Sequence, residues 1–205
     1  MSSMSDEASF TIKGLNTRAR IVECALTIFA VEGDGGLTIR KVASAVGLSP
    51  SNVQHYFPSR EDLFTAIIRQ TVADYRRRYE QIVNARGLTS GEKLAKVARL
   101  LIDDDKDLRV QALFVNIWAL AQKYQFAADM MDEMYRTQRS MLEVFVKDVN
   151  PMLSAGDVSR RAALITAQIE GLLVLLPKRT RFPAELKGLE EDAVRAIVAL
   201  AEHRS

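Results

Sequence analysis

Apolar residues recur at three- and four-residue spacing along almost the whole 205-residue chain, and runs that alternate polar with apolar residues are missing. That period is the stripe of a helix repeated from element to element, so the fold class it predicts is all-α. The five prolines, Pro50, Pro58, Pro151, Pro177 and Pro183, each stand where one helical pattern stops or another starts. A residue without an N–H does least harm at such positions, so the prolines act as punctuation. Apolar residues make up 48 % of the chain, enough to build a core in one medium domain or two small ones.

Residues 1–15 read as a disordered arm, and a first helix is expected from Thr17 to Val31, burying Val22, Ala25, Leu26 and Phe29 before the glycine-containing stretch Glu32 to Gly36 ends it. Two short helices follow, Thr38 to Ala45 and Pro50 to Phe57, and then a far longer one from Arg60 to Arg86, about 40 Å at roughly 1.5 Å per residue. The change of length marks a boundary, which gives an amino-terminal domain at 16–62 and a helical carboxy-terminal domain at 63–205. Further helices are expected at Ser90 to Asp105, Leu108 to Gln125, Ala127 to Val149, Asp157 to Leu176 and Pro183 to His203.

Several function classes find no support. The net charge is only +2, from 28 basic and 26 acidic side chains, so bulk charge does not announce a nucleic-acid partner. The lone cysteine, Cys24, allows neither a disulfide framework nor a cysteine cluster for zinc, and it reads as a small buried hydrophobe in a protein of the reducing cytoplasm. The first residues lack the basic start and apolar stretch of a secretory signal, and the longest apolar run, Leu172 to Leu176, is too short for a bilayer, so a soluble protein without a membrane partner is expected. Asp103, Asp104, Asp105 and Asp107 point in different directions around a helix and read as a solvated helix end, not a metal site; Lys178, Arg179 and Arg181 read as an exposed loop. No nucleophile is paired with a base and no glycine loop suits a phosphate, so neither an enzyme nor a cofactor is expected.

The informative stretch is TIRKVASAVGLSPSNVQHYFPSREDL, Thr38 to Leu63. Thr38 is an N-cap, with Leu37 and Val42 placed as a hydrophobic staple. The helix it opens turns Ile39, Val42, Ala43 and Val46 inward and Arg40, Lys41 and Ser44 outward. Gly47 supplies the tight turn. Ser49 then caps a second helix with Pro50 at its first position. That helix buries Val53, Tyr56 and Phe57 and exposes Ser51, Asn52, Gln54 and His55. Pro58 stops it, and Ser59 with Asp62 forms a capping box for the long helix, whose first turn carries Arg60. Two short helices about a tight turn, the second rich in exposed hydrogen-bonding groups, match a helix laid in the major groove of double-stranded DNA.

Thr38, Ala43, Gly47, Ser49, Tyr56, Phe57, Arg60 and Leu63 together resemble the helix-turn-helix of the tetracycline-repressor (TetR) family. The family often has glycine where Ser51 stands, an aromatic where Gln54 stands and lysine where Arg60 stands. The resemblance implies an amino-terminal three-helix helix-turn-helix domain followed by a carboxy-terminal helical ligand-binding and dimerisation domain. It further implies that Thr38, Arg40, Ser49 and Arg60 touch phosphates, that Ser51, Asn52, Gln54 and His55 approach base edges, and that Tyr56 lies between core and backbone. With His203 as its sole histidine companion, His55 fits DNA contact better than metal binding or catalysis.

In the last two helices more apolar face is available than one small domain buries, which suits the homodimer that the resemblance implies; Leu164, Leu172, Leu175, Leu189, Val194 and Ile197 are its candidate interface. A pocket for a small apolar or amphipathic effector is assigned to Phe114, Trp118, Met134, Tyr135, Gln138, Gln168 and Glu170. Glu170, a carboxylate in an apolar helix, needs a partner such as Arg160, Arg161 or a cationic ligand. The function expected is a ligand-responsive repressor on a palindromic operator. An activator, a ligand-independent regulator and, more remotely, a helical interaction module that does not bind DNA remain as alternatives.

Overall fold

The computed structural model describes residues 12–175 and 184–203. All regular structure among them is helical, in the order α1 (Ile12–Gly36), α2 (Ile39–Val46), α3 (Pro50–Tyr56), α4 (Arg60–Val83), α5 (Ser90–Asp105), α6 (Leu108–Ala121), α7 (Gln125–Val149), α8 (Ala155–Leu175) and α9 (Leu189–Glu202). No helix among the described residues is long and apolar enough to cross a membrane. The chain divides into two compact units, Met1–Gln70 and Thr71–Ser205. The division falls inside α4, further along the chain than the boundary expected at its start, because Leu63, Phe64, Ile67 and Ile68 are buried in the first unit and only later residues, from Tyr79 and Ile82, enter the second core.

In the first unit α1 begins earlier than expected, so residues 12–15 of the anticipated arm are helical, whereas residues 1–11 lie outside the described ones. The helix is broken at Gly33, where φ is 66° and ψ −155°. Val22, Ala25 and Phe29 are buried and Leu26 is half-buried. The Phe29 and Phe64 rings meet edge to face, centroids 5.4 Å apart, which joins α1 to α4. Val42, Ala43, Val53 and Phe57 complete this core, the two valines and the phenylalanine each contributing about 1.5–3 kcal/mol by leaving water. Cys24 is half-buried rather than buried, and burial pushes its thiol above its ordinary range.

In the second unit α7 packs most extensively on α8, and α5 lies against α7, α8 and α9. Leu94, Val97, Leu101, Leu142, Phe145, Ile165 and Ile197 are among its buried residues. Thr89 and Glu92 close a reciprocal capping box at the start of α5. Arg161 is buried and caps the far end of α9, donating to the carbonyls of Ala201 (3.1 Å) and His203 (2.6 Å).

Some boundaries differ from expectation. α4 stops at Val83 rather than Arg86, and α6 at Ala121, before the connection that leads into α7. α9 starts at Leu189, not Pro183: Ala184–Leu186 is a short 3-10 turn, and Gly188 at φ 92° takes a conformation that an α-helix cannot continue through. The stretch holding Lys178, Arg179 and Arg181 lies outside the described residues.

Candidate functional site

Thr38 caps α2 by accepting from the Lys41 N–H at 3.2 Å, and Ser49 caps α3 by accepting from the Asn52 N–H at 3.2 Å. Pro50 occupies the first turn of α3. Between the helices Gly47 adopts φ 72°, ψ 35°, so the turn uses a left-handed residue and its N–H closes on the end of α2. The alternation of faces follows the expected pattern: Val53 and Phe57 are buried, Tyr56 is half-buried, and Ser51, Asn52, Gln54 and His55 are exposed. The rings of His55 and Tyr56 meet edge to face at 5.3 Å. On α2, Arg40, Lys41 and Ser44 are exposed, and Lys41 pairs with Glu32.

Arg60 shows a relationship that spacing did not reveal. Its guanidinium lies 2.6 Å from the Asp34 carboxylate and donates to the Asp34 carbonyl at 3.1 Å, tying the end of α1 to the first turn of α4. Ser59 and Asp62 make the expected capping box beside it. Arg18 lies over the Phe57 ring at 5.2 Å and Arg20 donates to the Val46 carbonyl at 3.3 Å, so both pack on the helix-turn-helix.

The second unit contains a narrow cavity. Thr71, Val72 and Tyr75 of α4 form one wall, Leu101 and Asp105 of α5 a second, and Phe114 of α6 a third. Met134, Gln138 and Met141 of α7 and Ile169 with Glu170 of α8 complete it. Of the residues assigned to a pocket from sequence, Phe114, Met134, Gln138 and Glu170 come together there. Trp118 and Tyr135 stand behind the wall instead: the indole N–H donates to the Tyr135 hydroxyl at 2.7 Å, and Tyr135 in turn bonds to the Glu170 carboxylate. Gln168 is exposed and is not part of this wall, because two residues along a helix turn a side chain about 200° away from Glu170. Glu170 meets neither Arg160, which pairs with Asp157, nor Arg161, which caps α9.

The acidic cluster differs most from the solvated helix end expected of it. Asp103 pairs with Lys106 at 2.6 Å, Asp104 is held by Arg78 and Tyr75, and Asp107 caps α6. Asp105 is only 6 % exposed, lines the cavity, and its Oδ2 is buried without a hydrogen-bond partner. Burial, together with the charges of Glu170 and Asp104, pushes its carboxyl up to about 8. Burial also raises Glu170, to about 7, against the opposing bond from Tyr135. A sequence signal for Asp105 existed: it follows Leu94, Val97, Ala98 and Leu101 on the buried stripe of α5. The length of α4 gives no signal for Tyr75, Thr71 and Val72; only the faces of the helix single them out.

The candidate dimer interface divides. Leu172, Val194 and Ile197 are buried within the chain's own core, where α8 and α9 meet α5, so a partner cannot reach them. Leu189 is half-buried against the same core. Leu164 and Leu175 are 53 % and 59 % exposed, joined on α8 by Val174 at 64 %.

Residues 21–67 match the family of bacterial regulatory proteins called tetR, and residues 90–200 match the carboxy-terminal region of BetI-type transcriptional repressors. The chain is 27 % identical over 158 residues to the transcriptional regulator BetI of Rhizobium meliloti, covering 77 % of this chain and 76 % of that one. Among solved structures, Salmonella enterica GusR superposes with a TM-score of 0.71 at 22 % identity, covering 91 % of this chain and 94 % of that one. A transcriptional regulator from Saccharomonospora viridis, solved in complex with choline, gives 0.71 at 18 % identity, covering 93 % and 97 %.

Proposed function

Since this chain belongs to the TetR family of transcriptional regulators and carries its DNA-binding helix-turn-helix, we propose that it is a dimeric repressor which a small molecule releases from a palindromic operator. The observation that carries the reading is the division of α3 into a buried face, Val53 and Phe57, and an exposed face of amide, hydroxyl and imidazole groups. In this reading Asn52 and Gln54 hydrogen-bond to adenine edges, with Ser51 and His55 beside them. Thr38, Arg40 and Ser49 meet phosphates near the two helix amino-termini, Arg60 adds its charge while tied to Asp34, and Tyr56 packs between core and backbone. The match to BetI-type repressors over residues 90–200 supports repression over activation.

Dimerisation is assigned to the exposed apolar surface of α8, Leu164, Val174 and Leu175, because two recognition helices about one DNA turn apart read a palindrome. The cavity of the second unit is the effector site, and the choline-bound structural neighbour supports a small-molecule site on this fold. Thr71, Val72 and Tyr75 place α4 in the cavity wall, and the same unbroken helix begins at Arg60. An effector that prefers one setting of α4 therefore shifts the population away from the DNA-competent one.

The test is a fluorescence-anisotropy titration with DNA from the chain's own upstream region, at about 0.05 and 0.2 M salt, against scrambled competitor. Specific binding that weakens steeply with salt and footprints as a palindrome is expected. Equal affinity for the scrambled DNA overturns the reading.

A further inference from the structure

Two carboxylates at the end of α1 reach cations of the helix-turn-helix. Glu32 and Asp34 stand on either side of the break at Gly33, and they leave it toward different partners. Glu32 pairs with Lys41, which is exposed beside Arg40 and Ser44 on α2. Asp34 pairs with Nη1 of Arg60 at 2.6 Å, and the same nitrogen donates to the Asp34 carbonyl. At Gly36 a Cβ would run into the Glu32 side chain and lie 2.8 Å from its Oε2. The missing side chain there leaves the room in which that carboxylate reaches Lys41. Arg40, by contrast, has no carboxylate partner among the described residues.

These pairs do little for the fold. The four side chains are between 29 % and 46 % exposed, and ion pairs so open to solvent contribute little to stability. The joint between α1 and α4 is made instead by the rings of Phe29 and Phe64, in a core that Val42 and Val53 complete. Their effect on DNA binding is larger. Attraction to a duplex grows with the number of cations that displace counterions from phosphates, and a cation already matched by a carboxylate adds almost nothing to that number. We propose that Glu32 and Asp34 are affinity-setting residues, which compete with the DNA backbone for Lys41 and Arg60. They hold down the attraction that is blind to sequence, so that the bases facing α3 carry a larger share of the binding. The proposal rests on the phosphate contact given to Arg60 above and adds Lys41 to it.

Full-length protein is titrated by anisotropy onto the upstream-region duplex and onto its scrambled counterpart, over a range of salt. The proteins compared are the wild type, Asp34→Asn, Glu32→Gln, Arg60→Ala and the double variant Asp34→Asn with Arg60→Ala. One cation freed for a phosphate raises affinity roughly tenfold at about 0.05 M salt and roughly threefold at about 0.2 M. Asp34→Asn is expected to tighten binding to both duplexes by that much and to steepen the salt slope by about one, with the ratio between the duplexes unchanged. Glu32→Gln is expected to act in the same way through Lys41, and it carries the decision should Asp34→Asn misfold. Arg60→Ala should weaken both duplexes alike. In its presence Asp34→Asn should change nothing, because the cation it frees is gone. A gain that persists there comes from net charge alone and overturns the competition. A merely structural pair has the opposite sign, since losing it loosens Arg60 and leaves DNA binding weaker or unchanged; either result overturns the proposal. Arg60→Ala binding as tightly as the wild type removes the phosphate contact and the proposal with it. Equal affinity for the two duplexes, with the gain on both intact, sinks the operator reading alone.

Discussion

Arg78 engages both carboxylate oxygens of Asp104, with Nη2 donating to Oδ1 at 2.9 Å, and leaves Asp105 without a cation although it is the next residue along α5. One residue of helix turns a side chain by about 100°, which separates a neutralised aspartate from one buried among apolar groups. The Asp105 carboxyl titrates at about 8 instead of its ordinary 3.8, because burial and then the charges of Glu170 and Asp104 oppose ionisation. The folded chain thus holds a proton that the unfolded chain gives up.

The pH dependence follows directly. A raised folded-state value means that the stabilisation is full below the ordinary 3.8 and is lost as pH climbs to about 8. Asp105→Asn removes the titration, so the melting temperature of the variant relative to the parent should rise across that window, by several degrees at its upper end. Thermal melts at about pH 5 and pH 8 decide it, and parallel curves for the two proteins would refute the assignment.

Tyr79 has its hydroxyl buried without a hydrogen-bond partner, while its ring meets Phe145 edge to face at 6.1 Å. Tyr79→Phe keeps the ring contact and removes the unanswered group. Denaturant unfolding should show stability unchanged or raised by up to about 1 kcal/mol; a loss of that size would mean that the hydroxyl has a partner.

Gly47 sits at φ 72° with open space where a Cβ would lie, so the cost of substitution there is backbone strain alone. Gly47→Asn is expected to lose under about 1 kcal/mol, and Gly47→Val distinctly more, since a β-branched residue resists the left-handed region. Equal losses in chemical denaturation would argue against strain as the cause.

On α3 and α2 the proposed base and phosphate contacts should behave differently. Asn52→Ala is expected to relax preference at one operator position by about 1–3 kcal/mol. Arg40→Ala should weaken all sequences alike and lower the salt slope by about one. Anisotropy on an operator panel at several salt concentrations distinguishes them.

Leu164→Glu places a charge on the exposed α8 surface proposed for the dimer. Sedimentation should show a monomer with unchanged helical content. A variant that still sediments as a dimer moves the interface elsewhere.

The helix-turn-helix was legible because local chemistry specifies it: the caps Thr38, Ser49 and Ser59, the Gly47 turn and the position of Pro50 each act over a few residues. The tie from Arg60 to Asp34 was not, since it joins residues 26 apart through a kink at Gly33. Asp105 was legible in its spacing but obscured by its acidic neighbours, which fit a solvated helix end if their faces are ignored. The inward placement of Leu172, Val194 and Ile197 was not legible, because a surplus of apolar residues does not say which of them a monomer buries.

On α3, groups that hold the helix in place alternate with groups that face outward. Val53 and Phe57 are buried and answer to the fold, whereas Ser51, Asn52, Gln54 and His55 are exposed. Those four positions can vary almost independently of stability, so new operator preferences can be selected or engineered there without rebuilding the turn that presents them.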